Sequence, residues 1–143
     1  MLRSLFSGVC LLSLAVTGCG GKSMPETTPV EGVVRVNGRP QSGLLVRFLP
    51  DPEPGKSTSF IASGKTDEQG KYVLEHDYEG THGQGAALGW HRVLVMDTTV
   101  KLPAAGQRQA PPSVSFDYSS PATSPLHVEV KAGEPTIDLD VKK

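Results

Sequence analysis

Few residues in this chain are equipped for chemistry. His76, His82 and His91, with Asp77 and Glu79 beside them, have the side chains that a transition metal takes. Such an ion needs about three or four converging ligands. The spacing fits no established zinc pattern, and Gly80, Gly83, Gly85 and Gly89 make the stretch read as a mobile loop. Solvated loop histidines are the first expectation and a metal site the second. Asp67-Glu68-Gln69 offers far fewer than the roughly six to eight oxygens that calcium takes, so it reads as turn chemistry. Serines are frequent, but none sits in a Gly-x-Ser-x-Gly elbow. The 15 acidic residues show no local pairing for acid–base work. Trp90, the sole tryptophan, reads first as core packing and second as a surface contact for sugar or protein. The reading is a non-enzyme without a cofactor.

The other reactive side chain is a thiol. Both cysteines, Cys10 and Cys19, lie near the start, so no disulfide can staple the body. Arg3 supplies a positive n-region, and Leu5 to Val16 is apolar or small, like the h-region of a secretory signal. That run is shorter than the roughly 20 residues that a membrane-spanning helix needs. The segment Leu14-Ala15-Val16-Thr17-Gly18-Cys19 resembles a bacterial lipobox, with Val16 in place of the usual leucine. The resemblance implies cleavage between Gly18 and Cys19 and a diacylglyceryl thioether on Cys19. Small residues such as Thr17 and Gly18 then let the peptidase reach the backbone beside the lipidated cysteine. Cys10, inside the h-region, is discarded on cleavage.

Residues 1–18 are accordingly a signal peptide, and 19–29 a lipidated cysteine with a polar, proline-bearing tether. Two or three acyl chains give stable anchoring where one gives only marginal binding. Gly20-Gly21-Lys22-Ser23 lacks the glycine spacing, strand and helix of a phosphate loop. The expected location is the cell envelope, lipid-anchored to a membrane facing the periplasm or the exterior. Some bacteria read an aspartate after the cysteine as inner-membrane retention, so the neutral Gly20 favours the outer membrane.

Positioning any site falls to the remainder, residues 30–143. A net charge of −1 gives no basic stripe for nucleic acid. The 16 glycines and 12 prolines punctuate short segments in which apolar residues recur with period two. Val30, Val34 and Val36 share one parity. Leu44, Val46 and Phe48 follow the turn Asn37-Gly38-Arg39-Pro40, and Phe60, Ala62 and Gly64 follow the break Pro50 to Gly55. Tyr72 and Leu74 come after Asp67 to Gly70. Trp90, Leu94 and Met96 oppose His91, Val93 and Val95 in a run suited to a central strand. Leu126, Val128 and Val130 precede Ile137, Leu139 and Val141. Seven strands without a helical period must bury their faces against each other, which predicts an all-β sandwich.

Three stretches in order resemble the carboxypeptidase-regulatory-like, transthyretin-like sandwich family. They are Val30-Glu31-Gly32-Val33-Val34 through Asn37-Gly38-Arg39-Pro40, then Gly64-Lys65-Thr66-Asp67-Glu68-Gln69-Gly70-Lys71-Tyr72, then Gly89-Trp90-His91-Arg92-Val93-Leu94-Val95. The turn residues Asn37, Gly38, Pro40, Asp67, Gly70 and Tyr72 carry the likeness. Asp67 should accept from backbone two or three residues on, Gly70 take positive φ, and Tyr72 return to the core. The resemblance covers about Val30 to Val141 and implies a seven-stranded, Greek-key-type sandwich serving as a non-catalytic structural or binding module.

Arg35 stands near where relatives with an internal isopeptide bond carry lysine, so that crosslink is not expected. The Tyr-Arg-Gly-Ser ending of the transthyretin-like hydrolases is not matched by Asp140-Val141-Lys142-Lys143. The function expected is therefore protein or glycan contact in the envelope. A small-molecule carrier or sensor built on an oligomer is the alternative, and a metal-dependent hydrolase using His76, His82 and His91 comes last. Residues 76–88 and 98–115 read as loops free for partners, or equally as tolerated insertions.

Overall fold

The computed structural model describes residues 24–51, 60–101 and 103–143. The expected signal peptide with Gly18, the expected lipid site Cys19, the first part of the expected tether and the Pro52-Glu53-Pro54-Gly55 break lie outside the described residues. Among those described, no helix is long and apolar enough to cross a membrane.

Among the described residues the chain is all-β apart from one 3-10 turn, Phe116–Ser119. Its strands are β1 Thr27–Thr28, β2 Glu31–Val36, β3 Arg39–Pro40, β4 Leu44–Pro50, β5 Ala62–Lys65, β6 Lys71–Val73, β7 Glu75–Tyr78, β8 Thr81–Gln84, β9 Ala86–Ala87, β10 Gly89–Asp97, β11 His127–Val130 and β12 Leu139–Val141. An antiparallel sheet runs β11-β10-β4-β5-β7-β8. In a second sheet β2 pairs in parallel with β12 and antiparallel with β6 and then β3. Residues of both sheets meet in one core: Val34 and Val36 of β2 and Leu139 and Val141 of β12 join Val46 and Phe48 of β4 and Val93 and Val95 of β10. Such an arrangement is consistent with a β-sandwich.

Strand formation follows from the alternation. In β2 and β4 every second residue is buried, and each large apolar side chain so removed from water contributes about 1.5–3 kcal/mol. Asn37 and Gly38 both take positive φ, 50° and 81°, closing β2 onto β3 with a two-residue turn whose twist matches the strands. Pro40 lies on the short β3, where its missing N–H costs no ladder bond in a central strand.

The structure departs from the sequence expectation at two places besides the site itself. Sheet pairing begins before the Val30 boundary, because Thr27–Thr28 pairs with Ala86–Ala87. The stretch 76–88 is not a loop: β7 and β8 form a hairpin through Glu79 and Gly80, with φ of 49° and 80°, and β9 follows. Glutamate in the position that asparagine usually fills concealed that turn. The described residues of 98–115 form no strand and lead into the 3-10 turn.

Candidate functional site

The three histidines do not converge, and their environments follow from strand parity. His76 points inward from β7. It is 5% exposed, stacks on Phe60 at 4.5 Å, and its Nδ1 lies 3.0 Å from the Gly85 carbonyl oxygen. Donation from Nδ1 leaves Nε2 as a bare acceptor, and that atom has no partner. Gly83 is directly opposite, and a Cβ there would fall 2.6 Å from Nε2. His82 has the other parity. It is exposed and lies 3.5 Å from Asp77 across the hairpin. His91 is 1% exposed, bonded through Nδ1 to the Gly89 carbonyl at 2.9 Å and packed at 5.9 Å from Phe48. Burial holds its pKa below the ordinary imidazole value, against the opposing pull of the Gly89 carbonyl. The expectation of solvated loop histidines is thus corrected for His76 and His91, which are core residues. Among the described residues no three His, Cys, Asp or Glu side chains are grouped to hold a metal.

The turn residues serve the fold. Asp67 Oδ1 accepts from the amides of Gln69 and Lys71, at 2.9 and 2.8 Å, reaching two and four residues on rather than two or three. Gly70, at φ 74°, sits where a Cβ would press on Gln41 N and Pro40 Cβ, each at 2.9 Å. Tyr72 is buried, and its hydroxyl donates to the Ile137 carbonyl at 2.6 Å. Burial, reinforced by the Asp138 charge, pushes its ionisation far above the usual phenol range.

Trp90 is not core packing. His91, Val93 and Val95 take the inward parity of β10, which leaves Trp90 on the outer face, 41% exposed. Its indole packs on the His127 ring at 4.8 Å. His127 is the near neighbour supplied by β11, opposite Arg92. The Asp51 carboxylate joins the two: its Oδ2 lies 2.5 Å from His127 Nε2 and 3.8 Å from the Arg92 guanidinium. Arg92 in turn donates to the Ser124 carbonyl at 3.0 Å, and the Asp51 amide donates to the Trp90 carbonyl at 2.9 Å. An exposed indole is therefore flanked by donors and an acceptor that are already held in place. Sequence reasoning missed Asp51 and His127; the alternation of Leu126 and Val128 was the one signal that put His127 outward.

A second feature lies at the far end of β10. Asp97 accepts four hydrogen bonds: from Thr99 N and Oγ1 at 2.8 and 2.6 Å, and from Ser113 N and Oγ at 2.8 and 2.7 Å. Burial works against its ionisation, but these bonds outweigh it and hold the pKa at about 2. The carboxylate thereby ties both ends of the 98–115 segment to the strand. Between that segment, the 3-10 turn and β10 lies a groove of about 460 Å³.

Compared with protein-family models, with curated proteins and with solved structures, the chain gives no match.

Proposed function

We propose that this chain is a lipid-anchored, non-catalytic envelope protein whose β-domain binds a protein or glycan through the Trp90 surface. The proposed anchor is the acylated Cys19, supported by the n-region, h-region and lipobox in order. The proposed architecture is a seven-stranded, transthyretin-like sandwich of Greek-key type, supported by the three ordered motifs and by the all-β pairing. The observation that carries the binding reading is Trp90 lying outward on β10, packed against the His127 ring beside Asp51 and Arg92. Aromatic faces with a polar rim supply most of the energy at recognition surfaces.

The test is recovery of crosslinked partners from intact envelopes with the wild-type chain and with Trp90→Ala. A specific protein or wall glycan held by the wild type and lost from the variant is the expected result. Repeated recovery of nothing specific, or of the same partner with both chains, contradicts the reading. Because Trp90 is the sole tryptophan, its emission reports directly on the surface when a partner is added.

A further inference from the structure

We infer that the groove at the far end of β10 binds an anionic single-chain amphiphile of the fatty-acid class, its hydrocarbon in the groove and its carboxylate at the cations beside it. The groove holds about 460 Å³, within the roughly 300–1,000 Å³ of cavities that take small ligands. Its apolar surface comes from three parts of the chain. β10 supplies Val95 and Met96, the 98–115 segment supplies Val100 and Pro112, and the 3-10 turn supplies Phe116. Val95, 1% exposed, can contribute only to the floor, whereas Phe116 at the rim is 73% exposed. A phenyl ring left so far in water beside an apolar groove has its hydrophobic energy still to gain from a ligand.

The polar groups of the groove decide between occupants. Its polar lining side chains are Asp97, Gln109, Ser115 and Ser119. Asp97 is taken up by Thr99 and Ser113. Ser115 Oγ is bonded to Asp117, and Ser119 Oγ donates to the Phe116 carbonyl. Among the described residues this leaves Gln109 alone to meet a polar ligand. A peptide or a sugar would bury donors and acceptors there without partners, which is costly. A hydrocarbon chain has none to lose.

Charge fixes the head of the ligand. The adjoining depression shares Asp97, Val100 and Ala110 with the groove and adds the side chains of Lys101, Arg108 and Lys143. Its one carboxylate side chain is the committed Asp97. A hydrocarbon passing over Val100 therefore ends beside three cations, which select a carboxylate over a neutral or cationic head. Position separates this ligand from a bilayer at the tether. The Leu88 amide donates to the Glu26 carbonyl, so the N-terminal stretch joins the fold at the start of β10. The groove lies at the other end of that strand, about 26 Å away at roughly 3.3 Å per residue. The inference depends neither on the partner proposed at Trp90 nor on Cys19.

The experiment uses the full chain in phosphatidylcholine nanodiscs and octanoate carrying a photoreactive diazirine, with crosslinks located by mass spectrometry. Saturable labelling between Val100 and Phe116 is expected, competed by plain octanoate. Hexanoate, two methylenes shorter, should compete roughly fifteenfold less well. Octanol and octylammonium should each be about tenfold weaker than octanoate, the worth of one charge-assisted hydrogen bond. Phe116→Ala should weaken octanoate and octanol alike. Lys101→Gln with Arg108→Gln should instead remove the advantage of octanoate over octanol, and Trp90→Ala should change nothing. The comparison of ligands on the wild-type chain needs no variant to fold. Labelling that does not saturate, that falls elsewhere, or that octylammonium competes as well as octanoate overturns the inference. So does a segment crosslinked to nanodisc lipid that octanoate fails to displace, which would make the surface a bilayer contact.

Discussion

Asp97 commits both carboxylate oxygens to a single task. Its pKa of about 2 lies below the roughly 3.9 of an unfolded aspartate, so its ionised form is favoured by the folded state. The resulting stabilisation is present in full above about pH 4 and is lost as pH falls through the folded value near 2. Hydrogen exchange should therefore show the amides of Thr99 and Ser113 protected at pH 5 and released towards pH 2. Asp97→Ala should expose both at neutral pH, while the amides of β4 keep their protection. Equal protection in the variant would show that the 98–115 segment is held by other contacts. Tyr72 illustrates the opposite use of a polar group. Its hydroxyl satisfies the Ile137 carbonyl, and Gly32 must stay without a side chain because a Cβ there would lie 1.9 Å from that same oxygen.

Strand β10 shows what alternation can and cannot reveal. β2 and β4 were legible because their second parity carries Glu31 and Arg35, or Arg47, so the apolar parity had to face inward. In β10 from Trp90 to Met96 each parity carries one polar side chain among apolar ones, Arg92 beside Trp90 and His91 beside Val93, so the run read as a two-sided central strand and Trp90 as core packing. The reverse holds because His91 satisfies its Nδ1 on the Gly89 carbonyl within its own strand and can be buried at little cost. The same blindness affected the β7–β8 hairpin, whose glycines and histidine suggested a loop. Pairing across the hairpin is a tertiary fact that a local pattern does not contain. The turns at Asn37-Gly38 and Asp67 to Gly70 were legible because their chemistry is local. The contrast in β10 gives a stability prediction. Phe48→Ala, emptying a core site beside His91, should cost about 3–5 kcal/mol, whereas Trp90→Ala should change stability by no more than about 0.5 kcal/mol. Denaturant unfolding of the two variants measures both. A loss of several kcal/mol for Trp90→Ala would return that residue to the core.

For the whole molecule, the first paired residue sets how far the domain can stand from the lipid. Thr27 is pinned to Ala87, so the proposed tether is confined to the stretch before it. Fully extended at about 3.5 Å per residue, Gly20 to Glu26 reaches roughly 25 Å. The domain would thus work close to the membrane, with the Trp90 surface presented to partners in the envelope rather than to distant ones. Everything in this reading rests on acylation of Cys19. The most direct measurement is the mass of the N-terminal tryptic peptide, Cys19 to Lys22, from membrane-extracted protein. The account predicts a chain that begins at Cys19 and carries diacylglyceryl and acyl mass, absent from Cys19→Ala. Recovery of an unmodified chain from the cytosol with residues 1–18 still attached would contradict it.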